Sequence, residues 1–427
     1  MKYIRRIVDD LLEKKLRITG GVVIKGPKWC GKTTSAKQHA KSVLDLQSSN
    51  TKKKNKQLAD NDISLLLEGK KPRLIDEWQV IPEIWNAVRT DIDERNERGL
   101  YILTGSVVPT KDDEEELHTG IGRISFLEMK PLTLFESGDS TGVISLKDIL
   151  DKNVVVKGQK SRLDYRRLAY LTCRGGWPSA IGLNEEDSLE VAKEYVKALT
   201  EADISRIDGK DRNPELARHI LRAYARHVST IDSDKTLFED IRFSFGDVSD
   251  TTLFDYINAF KRLYVIEEVP SWNPNLRSKT SIRTSPKKGF VDPSIAVAAL
   301  EMSPKELALD PETFGLLFEN LVNRDLSVYA GKIGGYVRHY RDRYNLECDH
   351  VIHFNNGQYG LIQTKLGAGS IDQGIEKLRE IQKLIKEKNK KEKLVQEPAF
   401  LMVVTGSETA LTTIDGILIV PIGCLKD

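Results

Sequence analysis

Apolar residues in this chain recur at two spacings, and the alternation between them lays out the elements. Short β-branched runs read as buried strands: "GGVVIKG" at 20–26, "RLI" at 73–75 and "LYILTGS" at 100–106. Between and after them the spacing turns helical. "TTSAKQHAKSVL" at 33–44 predicts a helix, and Ile84, Trp85, Val88 and Ile92 share the face of another.

Beyond residue 140 the pattern changes. "STGVISLKDILDKNVVVKGQK" at 140–160 holds a short helix-like piece between polar ends and reads as a linker. In "YRRLAYLTCRGGWPSAIGL", Gly175-Gly176 and Trp177-Pro178 mark a turn between two helical segments. Two amphipathic helices follow, "SLEVAKEYVKALTEADISRI" with Ser188 as its expected cap, and "NPELARHILRAYARHVS". The second carries Arg218, Arg222 and Arg226 in one stripe, a solvated helix face or a phosphate contact. In "SDTTLFDYINAFKRLYVIEEVPSW", Ser249 or Asp250 caps a helix with Leu253, Tyr256, Ile257, Phe260 and Leu263 on one face, and "YVIEEVPSW" follows as a strand. With a helix around "TLFEDI" before it, this stretch reads as a winged helix. Its wing, "NLRSKTSIRTSPKKG", is basic through Arg277, Lys279, Arg283, Lys287 and Lys288, which suit backbone phosphate or leave the module to dock protein.

The last third reads helix, "GGYVRHYRD" strand, "LECDHVIHF" strand, Asn356-Gly357 turn, "QYGLIQTKLG" strand, a long helix, then strands "AFLMVVTG" and "GILIVPIG". The long helix places Ile371, Ile375, Leu378, Ile381 and Leu384 on a core-facing stripe with Ile385 beside it. Its lysine-rich end, like "TKKKNK" at 51–56, reads as solvated surface. The whole chain is therefore expected to be α/β, with domains at 1–145, 146–230, 231–305 and 306–427.

Composition narrows the class. With 40% apolar and 30% charged residues in a chain of 427, several soluble domains are expected. No apolar run approaches the ~20 residues of a membrane helix, and "MKYIRRIVDD" lacks the apolar core of a signal peptide, so a cytoplasmic protein without membrane partners is expected. Cys30, Cys173, Cys348 and Cys424 form no CxxC pair, against a zinc site or a disulfide framework. A net charge of +2 does not itself signal nucleic acid.

The most specific chemistry lies in "KGPKWCGKTT" at 25–34, where Gly26, Gly31, Lys32 and Thr33 fit a phosphate loop between a strand and a helix. Glycines at both ends let backbone N–H groups turn inward on phosphates, and the helix N-terminus adds positive potential. Gly26, Pro27, Lys28, Trp29, Cys30, Gly31, Lys32, Thr33 and Thr34 would then line an ATP site. Lys32 reaches the β and γ phosphates and the Thr33 hydroxyl binds Mg²⁺. Cys30 reads as loop packing. "KPRLIDEWQVIP" supplies the carboxylates: Asp76 for Mg²⁺ through water, and Glu77 as general base on the attacking water. Thr104 and Ser106 tip the strand after it, where a γ-phosphate sensor belongs.

With these motifs, residues 1 to about 140 resemble an AAA+ ATPase module, of the subgroup with "DEWQ" on its acid strand and "LTGS" on its sensor strand. The resemblance implies a homo-oligomer. Arg123 matches the subgroup's "GR" pair and is implied as a trans-acting finger or a cis sensor, against the alternative of a surface arginine paired to Glu128 or another acid.

The end of the chain, from about 311, resembles the restriction-endonuclease-like fold of the PD-(D/E)xK superfamily. Glu319 matches the acid of the first helix, Asp349 that of the hairpin strand, and Lys365 the lysine. Gln363 stands where a second acid is expected; its carbonyl still offers a metal ligand, without charge, and Glu347 on the strand of Asp349 is placed to compensate. Whether this tail cleaves anything stays open. The three-part order resembles a large group of prokaryotic AAA-type ATPases. That implies an oligomeric motor or switch acting on DNA, with a signalling switch or a protein remodeller as alternatives.

Overall fold

The computed structural model describes residues 3–105, 122–272, 285–342, 344–392 and 396–427. Their contacts define two compact units, residues 1–131 with 261–264, and residues 132–260 with 265–427. Residues 132–145, grouped with the ATPase on sequence, thus have their contacts in the second unit.

The first unit runs α1 (Ile7–Ile18), β1 (Gly21–Lys25), α2 (Lys32–His39), β2 (Ser42–Asp45), α3 (Lys52–Asp62), β3 (Arg73–Asp76), α4 (Ile84–Arg95), β4 (Tyr101–Gly105) and β5 (Ile124–Glu128). The five strands pair in parallel in the order β2-β3-β4-β1-β5. A parallel sheet needs crossovers and is covered on both faces, which is why its strands are apolar at consecutive positions. Val23, Ile75 and Leu103 face one core with Ile84, Trp85, Val88 and Ile92 of α4. Val22, Ile24, Leu74 and Ile102 face the other, with Val8 and Leu12 of α1 and Ala36 of α2. The helix expected at 33–44 stops at His39, and Ser42–Asp45 is the edge strand β2. Because every strand points the same way, the chain leaves β1, β3 and β4 on a single edge of the sheet.

The second unit carries a six-stranded sheet in the order β11-β12-β10-β9-β8-β7. Its strands are β7 (Gly335–Arg341), β8 (Glu347–Phe354), β9 (Tyr359–Lys365), β10 (Phe400–Thr405), β11 (Leu411–Thr412) and β12 (Leu418–Pro421). β7, β8 and β9 form an antiparallel meander, and β10 joins β9 in parallel. Gly357, at a φ of 85°, supplies the left-handed residue of the expected hairpin turn. The helix Ile371–Glu392 buries Ile375, Leu378, Ile381 and Ile385 against this sheet, while Leu384 is exposed. Ile385, fourteen residues after Ile371, completes about four turns, so the helical period selects it over its neighbour.

Residues 140–160 are not a spacer. β6 (Ile144–Ser145) pairs with β13 (Leu425–Lys426), the Ser140 hydroxyl donates to the Leu425 carbonyl at 2.7 Å, and the Thr412 hydroxyl donates to the Val156 carbonyl at 2.6 Å. Polar composition suggested a linker because these partners lie more than 250 residues away. The Gly175-Gly176 turn is also tertiary in origin. A Cβ at Gly176 would lie 2.1 Å from the Leu132 carbonyl oxygen, and the Gly176 N–H donates to Asp292 at 2.9 Å. Asp292 and Asp325 flank the buried Arg324 guanidinium at 2.8 and 2.7 Å. The helix Glu185–Ala198 is capped by Asn184; Ser188, expected as the cap, is buried inside the helix and hydrogen-bonded to Tyr170. The helix Pro214–Arg226, the second of the two expected, is capped by Asn213.

The helices Asp234–Phe245 and Asp250–Arg262 lie where the winged-helix reading expects them, the second capped by Ser249. After them come isolated bridges at Ile266, Val269 and Ser271 in place of the expected strand. Arg277, Lys279 and Arg283 of the expected wing lie outside the described residues.

Candidate functional site

At the carboxyl edge of the first sheet, three elements converge. The loop after β1 leaves through Gly26 at a φ of 150°, where a Cβ would lie 2.1 Å from the Met129 carbonyl oxygen. It enters α2 through Gly31, left-handed at a φ of 99°. Pro27 is buried, Lys28 half-buried, Trp29 and Thr34 exposed. Trp29 also has a positive φ, 64°, an uncommon backbone state for a residue with a side chain. The Lys32 ammonium is buried and donates to the carbonyls of Gly26 at 2.9 Å and Pro27 at 2.8 Å.

Asp76 ends β3 and Thr104 lies near the end of β4, in register with it. The Thr33 hydroxyl donates to Asp76 Oδ1 at 2.8 Å, and the Thr104 hydroxyl donates to the same oxygen. The Glu77 N–H donates to Thr104 Oγ1 at 3.4 Å, and the Glu77 carboxylate accepts from Gln79 Nε2 at 2.5 Å. Glu77 has a φ of 56°, so the chain turns sharply there and separates the directions of the two adjacent acids. Ser106 lies outside the described residues. The structure thus brings together Lys32, Thr33, Asp76, Glu77 and Thr104 from three strand ends.

Arg123 is placed elsewhere. It precedes β5, and its carbonyl accepts from Gly21 at the start of β1, whereas the loop follows the end of β1. Five strand residues at ~3.3 Å each separate the two ends by roughly 15 Å, which removes the cis-sensor reading. Its guanidinium pairs with Asp93, both groups half exposed, which falls within the alternative of a surface arginine paired to Glu128 or another acid.

Sequence reasoning missed Arg6. This buried residue donates to the carbonyl of Cys30 at 2.9 Å and to that of Lys130 at 2.8 Å. Its own N–H donates to Asp9 at 2.8 Å, and Asp9 meets the Tyr3 hydroxyl and, at 3.3 Å, His39 of α2. Burial pushes the Asp9 carboxyl up, but these hydrogen bonds outweigh it and hold it below its ordinary value. Cys30 is buried, with its thiol 3.5 Å from the Met129 carbonyl, so packing accounts for it.

The tail acids form a second cluster around an unexpected cation. Lys287, read from sequence as a wing residue for DNA phosphate, is buried, and its ammonium lies 2.7 Å from Glu319 and 3.0 Å from Glu347. Lys288 is also buried and paired with Asp234 at 2.7 Å. Neither presents its charge to a nucleic acid, which corrects that expectation for both. Arg218, Arg222 and Arg226 are about half exposed and lie 3.5, 3.4 and 3.1 Å from Glu201, Glu301 and Asp240.

Glu319, Glu347 and Asp349 all act on Lys287, whose ammonium they hold protonated well above the ordinary range against the pull of burial. Burial raises the Glu319 carboxyl to about 7, with Asp349 and Glu347 adding to the rise and Lys287 opposing it. Asp349 accepts the Thr364 N–H at 2.8 Å. Gln363 is fully buried; its Nε2 donates to the Glu347 carbonyl at 2.7 Å, while its Oε1 is buried without a hydrogen-bond partner among the described residues. Lys365 packs its methylenes along the helix Ile371–Glu392, where a Cβ on Gly374 would lie 3.2 Å from its Cγ. Among the described residues no group of three or more histidine, cysteine, aspartate or glutamate side chains is placed to hold a metal ion. Nor, among them, is any helix long and apolar enough to cross a membrane.

Comparison with known families bears on the first unit as a domain. Residues 19–137 match the family model of an AAA domain, and the chain therefore carries an AAA-like P-loop ATPase domain. Residues 165–306 and 314–425 match two domains of unknown function, DUF8612 and DUF4143. No curated protein matches the sequence. Among solved structures, the Walker-type ATPase paby2304 of Pyrococcus abyssi aligns at 13% identity over 68% of this chain and 94% of its own, with a TM-score of 0.42. The Aeropyrum pernix Orc1 protein in complex with DNA aligns at 14% identity over 71% of this chain and 92% of its own, with a TM-score of 0.25. At these scores neither likeness bears on function.

Proposed function

We propose that this protein is a Mg-ATP-hydrolysing switch that assembles with copies of itself, and that its tail does not cleave nucleic acid. The observation that carries the first part is the Thr33–Asp76 contact of 2.8 Å beside the buried Lys32 ammonium. A hydroxyl and one carboxylate suit Mg²⁺, which takes few protein oxygens and completes its shell with water and substrate phosphate. When bound, the metal offsets charge on the β and γ phosphates.

The chain's own groups supply the rest. The loop 26–34 directs N–H groups at the phosphates, and Lys32 exchanges two neutral carbonyls for charged phosphate oxygens, a stronger partner for an ammonium. Glu77 takes the proton of the attacking water, and Gln79 orients its carboxylate. Thr104 holds Asp76 in place. Arg123, about 15 Å from its own loop by strand rise, is free of any role there and serves a neighbouring copy's phosphate. Its exposed pairing with Asp93 is weak enough to exchange.

The second part rests on Lys287. An ammonium seated on Glu319 and Glu347 offsets part of their charge and competes for the carboxylate oxygens that metal-assisted hydrolysis would need. The burial of Lys287 and Lys288 also withdraws support from a DNA-binding wing. Steady-state ATP hydrolysis, with and without duplex and single-stranded DNA, tests the reading, with Glu77→Gln as control. Hydrolysis that depends on Glu77 and ignores DNA is expected. Strong stimulation by DNA would replace the switch with a DNA-dependent motor, and hydrolysis unchanged in Glu77→Gln would remove Glu77 as the base.

A further inference from the structure

We propose that Arg6 is a positioning residue for phosphate binding, acting through the Cys30 carbonyl. The inference rests on the reading of residues 26–34 as a nucleotide site. A trans peptide is planar, with its C=O and N–H pointing in opposite directions. The Cys30 carbonyl and the Gly31 N–H belong to one such plane. By taking the Cys30 oxygen at 2.9 Å, the Arg6 guanidinium therefore turns the Gly31 N–H, at the N-cap of α2, to the side of the peptide away from itself. Gly31 is left-handed at a φ of 99° and has no side chain to restrain it, so without this bond the peptide is free to rotate.

The guanidinium is suited to the task because it bonds in two directions at once. Its second nitrogen takes the Lys130 carbonyl at 2.8 Å. That segment already frames the loop, since Met129 accepts the Cys30 thiol and closes on Gly26. Arg6 thus ties the loop to the strip that follows β5. Arg6 is itself held from both sides: its N–H donates to Asp9, and the Tyr3 hydroxyl meets Asp9 and, at 3.0 Å, Ser35 of α2. A lysine there would keep the charge but not the planar fork that spans two carbonyls.

The test measures ATP and adenosine binding by calorimetry on the full chain, wild type against Arg6→Gln, Arg6→Lys and Lys32→Ala. A charged hydrogen bond to a carbonyl corresponds to about a tenfold change in affinity. ATP affinity is expected to fall about tenfold in Arg6→Gln and less in Arg6→Lys. Adenosine affinity is expected to stay near wild type, because adenosine lacks the phosphates the loop is proposed to hold, whereas the nucleotide-free thermal midpoint is expected to fall with the loss of two buried hydrogen bonds. Unchanged ATP affinity in Arg6→Gln, with Lys32→Ala abolishing it, would overturn the inference and leave the nucleotide site standing. Equal loss of ATP and adenosine in both Arg6 variants would also overturn it, since Arg6 would then only hold the fold. No ATP binding by the wild type would overturn the nucleotide site and this inference together.

Discussion

Lys32 and Lys287 are both buried lysines at places where the sequence suggests phosphate chemistry, yet their partners differ in kind. The Lys32 ammonium rests on two neutral carbonyls of its own loop, and the site acid Asp76 accepts from two hydroxyls. The Lys287 ammonium rests on two carboxylates, with a third close enough to act on it. Dipoles satisfy an ammonium without cancelling its charge, so Lys32 keeps a positive potential for an anion. Carboxylates cancel it, so Lys287 keeps no positive potential for an anion, and it sits where a metal would have to compete with it for Glu319 and Glu347. A motif therefore identifies chemistry only when the charge around it remains uncompensated.

The contrast breaks most readily at its functional end. Lys32→Ala is expected to lower ATP turnover by at least about 100-fold, the scale of losing one charged stabiliser of a phosphoryl transition state. The nucleotide-free thermal midpoint should hardly move, because the lost partners are loop carbonyls. A variant that still turns over at a tenth of the wild-type rate would mean that Lys32 is as structural as Lys287.

At the other lysine the expected loss is in stability. Lys287→Met leaves buried carboxylates without their cation, and breaking such a pair costs about 3–5 kcal/mol. Urea unfolding should show it, and Lys287→Met combined with Glu319→Gln should recover part of the loss by removing one stranded charge. A single variant within about 1 kcal/mol of wild type would place the pair among weak surface bridges and reopen the acids.

The acid cluster also carries a pH signature. Glu319 is raised to about 7, so its contribution to stability is full below its unfolded value near 4.5 and is lost as pH rises through 7. His339 is pushed down to about 4 by burial and by Lys287, so its contribution is full above 6.5 and is lost as pH falls toward 4. Their slopes oppose each other across the shared window. Glu319→Gln leaves His339 alone, and chemical stability should then climb more steeply between about pH 5 and pH 6.5 than in wild type. Parallel profiles would show that Glu319 does not titrate there.

Arg123 gives the smallest effect on the isolated chain. Its ion pair with Asp93 is half exposed, so Arg123→Ala should change stability by less than about 1 kcal/mol. Its value as a test lies in turnover: a loss that wild-type copies restore on mixing would assign Arg123 to a neighbour's site, and normal turnover at every protein concentration would deny it that role.

Much of the first unit was legible because its signals are local. Strand, glycine loop and helix follow one another within twenty residues, and Ile84, Trp85, Val88 and Ile92 reveal their face by period alone. Where the reading slipped by an element, the local signal was ambiguous. "SVLD" after a helix reads as its continuation until β3 pairs with it, and Leu384 and Ile385 are both apolar, so only the sheet beneath decides which one is buried. The tail shows the opposite limit. Its strands and hairpin turn were evident, but the role of Lys287 was not, because its basic neighbours in sequence suggested a surface patch.

By itself, then, the sequence determined the phosphate loop, the acid-tipped strand after it and the succession of helices and strands, since each rests on spacing within one or two turns of chain. Tertiary structure alone decided which charges remain available. Arg6 reaches Cys30 across 24 positions and Lys130 across 124, and Lys287 meets Glu319 across 32. Contacts at such separations leave no period in the chain, and Coulomb energy depends on distance and burial in space, not on order along the backbone.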